Sequence, residues 1–212
     1  MNSIVILGKR GWGKSYLHAR ILAQCPYYLC IDTVGDIEFV DKPVTLTAKG
    51  IINIRHVQAQ YRISIPDLVK TTSDIQSFFN NICRLLLLWG RGGKLQGFMF
   101  AVDEIQYFSG KLVMSDYLAE IVNLGRHFGI DYSFNTRRYP EIHKDIIANA
   151  TEFYAGYSMD INDLKRMEYI FGKDNVSRFL DKQIPYGFLH KTDTVVDIAL
   201  ANDGGITYDS IF

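Results

Sequence analysis

Gly8-Lys9-Arg10-Gly11-Trp12-Gly13-Lys14-Ser15 stands directly behind a short apolar run, Ser3–Leu7 (SIVIL). The eight residues fit GxxxxGK[ST] without a mismatch. Glycines let successive backbone N–H groups curl around a phosphate. A helix that starts at Lys14 aims its positive dipole end at the same point. In this pattern Lys14 reaches the β- and γ-phosphates and the Ser15 hydroxyl holds Mg²⁺. The loop residues and Tyr16, in the first helical turn, form the expected nucleotide-binding set. The plainer reading is a glycine-rich strand–helix turn. The full pattern arises by chance in roughly one or two of a hundred chains this long. A β-branched strand before it and a helical pattern after it lower that figure, so the loop is read as holding the phosphates of ATP or GTP.

Such a loop needs a partner carboxylate for the metal. Phe98–Val102 (FMFAV) is a continuous apolar strand that ends in Asp103-Glu104. Asp103 is expected to complete the Mg²⁺ shell, through water. Glu104 is expected to act as general base on the attacking water. A small-molecule kinase has no need of that second acid, so the pair favours NTP hydrolysis.

Around these motifs strands and helices alternate. Strands are expected at Tyr27–Ile31, within Val44–Ile65 (VTLTA, IINIRH, YRISI), at Ile130–Phe134 and at Glu152–Tyr157. Helices are expected at Lys14–Gln24, at Thr72–Leu88 with Ser73 as N-cap, at Tyr117–Phe128, from Pro140, at Ile161–Phe171 and at Asn175–Leu180. Gly90–Gly97 (GRGGKLQG) is a glycine-rich basic loop. Strands apolar on both faces imply a parallel sheet covered on two sides. The fold class is α/β: a P-loop NTPase, RecA-like, with a mostly parallel central sheet flanked by helices on both faces. A small C-terminal hairpin over Phe188–Leu200 completes one domain, residues 1–200. Residues 201–212 are expected as a loose tail.

The 212 residues carry 23 basic and 23 acidic side chains. A neutral total excludes a uniformly basic coat, so any grip on nucleic acid must come from basic residues gathered locally. Cys25, Cys30 and Cys83 are odd in number and form no CxxC pair, which speaks for free buried thiols in a reducing cytosol. No signal peptide is visible. The longest apolar stretch, Ile82–Trp89, is far short of the ~20 residues of a spanning helix. The histidines show no metal-ligand spacing and are expected to be ordinary core or surface residues.

Further motifs run in order along the chain: CIDTVGDIEF (Cys30–Phe39), NLGRHFGIDYSFNTRR (Asn123–Arg138), the proline-led YPEIHKDIIANATEFYAGY, and DINDLKRMEYIFGKDNVSRFLDKQIPYGFLH. With the loop and the Asp-Glu pair, the series resembles the FtsK/HerA superfamily of DNA-translocating ATPases. In size it is most like the genome-packaging ATPases of tailless icosahedral viruses with internal membranes. The resemblance runs to about His190. It implies ATP and Mg²⁺ as cofactors and a homo-oligomeric ring, hexamer or pentamer, that moves double-stranded DNA. It further implies a capsid or portal protein as partner, and action in the host cytoplasm or at a virion vertex. Arg126 is then the first candidate for an arginine finger serving the neighbouring subunit, with Arg137 and Arg138 as rivals. The family's sensor strand ends in a glutamine. Arg137 takes that position here, with Asn135 as the near alternative. Facing a ring's channel, Arg91 and Lys94 of the glycine-rich loop, or Lys111 after the Asp-Glu pair, are candidate phosphate contacts. Two other readings stand beside this one. Arg126-His127-Phe128-Gly129-Ile130-Asp131 also resembles the R-H-x-G-x-D run of zonula-occludens-toxin-like phage assembly proteins, which act on a protein partner. A small-molecule P-loop kinase shares the loop alone.

Overall fold

The computed structural model describes residues 2–35, 37–46, 58–65, 72–137, 139–158 and 160–211. Ten strands among them form one sheet: β1 (Ser3–Leu7), β2 (Tyr27–Asp32), β3 (Val44–Thr45), β4 (Gln60–Ser64), β5 (Phe98–Val102), β6 (Ile130–Thr136), β7 (Glu152–Gly156), β8 (Phe188–Lys191), β9 (Val196–Asn202) and β10 (Gly205–Ser210). Their order is β10-β9-β8-β7-β1-β6-β5-β2-β4-β3. From β7 to β3 every pairing is parallel, while β7-β8, β8-β9 and β9-β10 are antiparallel. The helices are α1 (Lys14–Leu22), α2 (Thr72–Arg91), α3 (Asp116–Leu124), α4 (Lys144–Asn149), α5 (Ile161–Phe171) and α6 (Lys173–Lys182).

Side-chain alternation along each central strand builds two cores. On β5, Phe98, Phe100 and Val102 face one side, Met99 and Ala101 the other. The larger core lies under α2–α6, the smaller one under α1. Both faces of β1 and β5 are fully covered, which is why these strands are continuous apolar runs rather than alternating ones. Phe100 packs on Phe79 of α2 and edge-on to Phe134 of β6, at 6.0 and 5.9 Å between ring centres. Burying such a ring contributes about 1.5–3 kcal/mol. On α2, Phe79, Ile82, Cys83 and Leu86 recur at helical spacing and are buried, as its amphipathic pattern requires.

Several boundaries differ from expectation. Helix α2 begins at Thr72, so Ser73 sits inside the first turn instead of capping it, and the helix continues to Arg91 into the expected loop. Tyr117–Phe128 divides into α3 and a 3-10 turn over Gly125–Phe128. Pro140 lies in a 3-10 turn, and α4 starts only after His143, whose Nδ1 accepts the Asp145 N–H at 3.3 Å. Of the run Val44–Ile65, the stretch 47–57 lies outside the described residues. The residues expected as a loose tail do not hang free. Gly205–Ser210 pairs with Asp197–Asn202 of β9, turning the expected hairpin into a three-stranded antiparallel meander. Cys30 and Cys83 are buried free thiols, but Cys25 is only partly covered. No helix among the described residues is long and apolar enough to cross a membrane.

Candidate active site

Strand β6 lies between β1 and β5 and is parallel to both. Two strand spacings separate β1 from β5, about 9–10 Å. The carboxyl ends of all three therefore meet at one edge of the sheet. Gly8 follows β1 there, its N–H donating to the Thr136 carbonyl at 3.3 Å. Asp103 and Glu104 follow β5. In open α/β sheets ligands collect at this edge.

The loop itself is shaped by backbone freedom that only glycine supplies cheaply. Gly13 is left-handed at φ 85°, and it leads into α1 without a side-chain cap, so the first-turn N–H groups point at the loop's hollow. Lys14 is 6% exposed, and its Nζ donates to the Lys9 carbonyl at 3.3 Å, closing the loop over its own mouth. Ser15 and Tyr16 are half-buried on α1, while Lys9, Arg10 and Gly11 are exposed.

Trp12 fixes the loop from outside. Its indole Nε1 donates to the Gly187 carbonyl at 2.8 Å, and its ring stacks on Tyr157 at 5.6 Å. The Lys9 ammonium lies 5.3 Å from the Trp12 ring centre. Beneath Trp12 lies Gly156, the last residue of β7. A Cβ there would stand 2.3 Å from Trp12 Cδ1. Gly156→Ala therefore pushes the indole out of its seat. We expect a stability loss of about 1–3 kcal/mol, typical of overpacking, together with weaker ATP binding. Unchanged nucleotide affinity in a titration of the purified variant would show that Trp12 does not shape the loop.

Asp103 is 2% and Glu104 7% exposed. Two buried carboxylates need partners, and residues on β6 and just after it supply two of them, Asn135 and Arg137. Asn135 accepts the Glu104 N–H through Oδ1 at 2.7 Å and donates through Nδ2 to Asp103 Oδ1. The same Nδ2 lies 3.3 Å from Nδ1 of His18, on α1. Burial pushes the His18 pKa down to about 4, with the Ser133 backbone partly opposing it. The imidazole is thus neutral at pH 7 and accepts the second Asn135 proton. Thr33 donates to the Asp103 carbonyl at 3.0 Å. Glu104 has φ 55° and ψ 59°, a left-handed conformation that costs a non-glycine residue about 1–2 kcal/mol. It turns the carboxylate toward Arg137, whose Nε pairs with Oε1 at 2.8 Å, while Gln106 donates to Oε2.

Side chains at the ends of β6 thus divide the work. Arg137 grips the second acid and Asn135 bridges both; Arg138 lies outside the described residues. Arg126 is exposed beside the opposite, amino end of β6. Six residues at about 3.3 Å each put it some 20 Å from this chain's own loop. The acidic turn after β2 is structural. Buried Asp32 accepts from the Gly35 N–H at 2.8 Å and pairs with Arg62 at 2.6 Å.

The three candidate phosphate contacts do not share a surface. Arg91 ends α2, pairs with Glu120 and lies 5.7 Å from the Phe128 ring centre. Exposed Lys94 is near it, at the amino end of β5. Lys111 lines a groove of about 840 Å³ that also presents Lys144, Arg166 and Lys191 and reaches the amino end of β7. Asp193 is the one carboxylate among the described lining residues. Sequence reading did not find Gly156, Tyr157, Gln106 or Tyr186 at the site. The one local signal for Tyr186 is the Pro-Tyr-Gly turn that carries it.

Solved structures of the same architecture carry telling names. The genome packaging NTPase B204 from Sulfolobus turreted icosahedral virus 2, in complex with ATPγS, matches with a TM-score of 0.71 at 20% identity, covering 93% of this chain and 96% of that one. The DNA-packaging ATPase B204 from Sulfolobus Turreted Icosahedral Virus matches at 0.68 and 21%, over 93% and 96%. ATPases 2 and 3 of EssC from Geobacillus thermodenitrificans match at 0.55 and 15%, over 99% of this chain but 40% of that one. No family model and no curated protein matches the chain. The fold is that of a P-loop NTPase, as the loop and the strand pattern led us to expect.

Proposed function

We propose that this chain belongs with the FtsK/HerA ATPases and hydrolyses ATP to move double-stranded DNA, as a homo-oligomeric ring that packages a viral genome. The observation that carries this reading is the buried Asp103-Glu104 pair, held by Asn135 and Arg137 at the same sheet edge as the phosphate loop. Structures that match nearly end to end are named genome-packaging NTPases, which supports the setting.

The donor set suits Mg²⁺: a hydroxyl on Ser15 and the carboxylate of Asp103 are both hard oxygen ligands. When bound, the ion neutralises phosphate charge. The chain does the rest. Backbone N–H groups of Gly8–Ser15 hold the phosphates, and Lys14 leaves the Lys9 carbonyl to reach the β- and γ-oxygens. Glu104 takes the proton of a water as its oxygen bonds to the γ-phosphorus and the bond to the β-phosphate oxygen breaks. Arg137 must loosen its grip on Glu104 for that proton transfer. Arg126, too far from its own loop, acts on a neighbour's nucleotide if it acts as a finger. Of the DNA candidates, Lys111 has the best company, since its groove gathers three further cations. The ring places a capsid or portal protein within reach and works in the host cytoplasm or at a virion vertex.

The test is phosphate release from ATP with and without long double-stranded DNA, with Glu104→Gln as the blank. We expect release to rise with DNA and to vanish in the variant. Glu104-dependent release indifferent to DNA would overturn the translocase and leave an ATPase acting on a protein partner.

A further inference from the structure

Resting on the hydrolysis reading above, we propose that His18 is a positioning residue for the Asp103-Glu104 pair. Its imidazole anchors the Asn135 amide, so that the amide stays in register with Glu104 when Asp103 turns to the metal. His18 lies on α1, one turn after Lys14, and is fully buried. It has no part in the proton transfer from water.

Packing alone does not call for a histidine there. Its buried neighbours on α1 include Leu17, Ile21 and Leu22, and a leucine at 18 would take no polar atom out of water. A polar ring in that place costs free energy unless hydrogen bonds offset it. Burial drives the ring to its neutral form, with a pKa of about 4. A neutral imidazole carries one donor and one acceptor. Nδ1 faces the Asn135 Nδ2 at 3.3 Å, and an amide nitrogen donates only. Nδ1 is therefore the bare acceptor, and the ring proton sits on Nε2. The Ser133 backbone favours a proton on the same ring.

Asn135 has three side-chain attachments among the described residues. Oδ1 accepts the Glu104 N–H at 2.7 Å, one Nδ2 proton goes to Asp103 Oδ1, and the other goes to His18. Asp103 is also the expected metal ligand, so its bond to the amide is the one that weakens when it turns to the metal. With His18 the amide then keeps two attachments; without it, one. A single hydrogen bond leaves the amide free to turn. The base depends on this amide, since Glu104 sits in a left-handed backbone and Asn135 holds its N–H. A misplacement of about 1 Å at a reacting group costs on the order of a hundredfold in rate. His18 acts through Asn135 and not on the reacting atoms.

The experiment measures phosphate release, ATP binding and thermal unfolding of the full chain. Wild-type protein is compared with His18→Asn, His18→Gln and His18→Leu, each also combined with Asn135→Ala. Asparagine places its oxygen near the position of Nδ1. Glutamine reaches past it toward Nε2, and leucine offers no acceptor. We expect His18→Leu and His18→Gln to lower kcat about tenfold, the upper end of what one neutral hydrogen bond contributes, with ATP affinity within about twofold of wild type. His18→Asn keeps the acceptor and should restore turnover. In the Asn135→Ala background none of the three should lower kcat by more than about twofold, because the two residues act as one unit. If His18→Leu fails to fold, the contrast between glutamine and asparagine decides. A histidine ¹⁵N NMR spectrum, with the His18 signals assigned by their loss in His18→Asn, should show the proton on Nε2. The proposal is overturned if His18→Gln and His18→Leu turn over as fast as wild type, or if His18→Asn is as slow as they are. It is equally overturned if they slow the Asn135→Ala chain as much as they slow wild type, or if the proton sits on Nδ1. Failure of the hydrolysis reading looks different: wild-type protein releases no phosphate, or Glu104→Gln releases it as fast.

Discussion

We expect Glu104→Gln to release phosphate from ATP at least about a hundredfold more slowly than the wild type, the lower end of what a positioned general base contributes, while ATP binds as before. Size and shape are kept by the substitution; what is lost is the proton acceptor. The left-handed backbone at 104, the Asn135 bond to the Glu104 N–H and the bond to Gln106 require no negative charge. Only the Arg137 ion pair does, and Arg137 is more than a third exposed, where water offsets most of the loss. Thermal unfolding should therefore shift little. Phosphate release and ATP titration, run on the same preparation, check the split between binding and turnover. Turnover within tenfold of wild type would remove Glu104 as the base and leave the Asp-Glu pair a metal-binding and structural feature.

We expect His190→Leu to destabilise the folded chain by about 3 kcal/mol, because it strands two carboxylates that the imidazole bridges. His190 is 5% exposed. Its Nε2 meets Glu152 Oε1 at 2.9 Å and its Nδ1 meets Asp197 Oδ1 at 2.6 Å, while Tyr154 stacks on the ring at 4.5 Å. Burial alone would lower the pKa of this imidazole. Hydrogen bonds and charge from Glu152 and Asp197 outweigh it, and the net direction is up. Glu152 pays the same burial penalty, yet His190 and Tyr154 bring its pKa below the usual carboxylate value. The signs then fix the pH window. The His190 contribution is fully present below its unfolded pKa, about 6.5, and is lost as pH rises through the raised folded value. The Glu152 contribution is present above about 4.5 and is lost as pH falls through its lowered folded value. His18 works the other way, because its folded pKa of about 4 costs stability as pH falls from about 6.5 toward it, but it is common to wild type and variant. Urea unfolding from pH 6 to pH 9 should show the gap between the two proteins narrowing as pH rises. Parallel curves would mean that the cluster does not hold a proton of its own.

The difference between these two predictions shows what was legible in the chain. Glu104 was readable because the strand before it, the acid beside it and the phosphate loop are each written in consecutive residues. The eight-residue loop, the apolar strand into Asp103-Glu104 and the alternation of strand and helix depend on local spacing. Local spacing sets the period of burial and the backbone conformations that glycine permits. These features determined the α/β class by themselves and marked the candidate nucleotide site. The His190 cluster was not readable, for it joins residues 152, 190 and 197 across β7, β8 and β9, and only the antiparallel pairing of β8 with both neighbours brings them together.

Only the tertiary structure decided which side chains share an edge. Insertion of β6 between β1 and β5 sets Asn135 between the two acids and turns Arg137 onto Glu104, where the sequence left the two as alternatives for one role. The same strand carries Arg126 away to the opposite edge, with Arg91 and Lys94, and leaves Lys111 among the cations of a separate groove. Gly156 lies under Trp12, and Tyr186 stands beside Gly13, because β7 and β8 pair next to β1. Strand order and register bring together residues more than a hundred positions apart, and no periodicity within a single segment encodes that meeting.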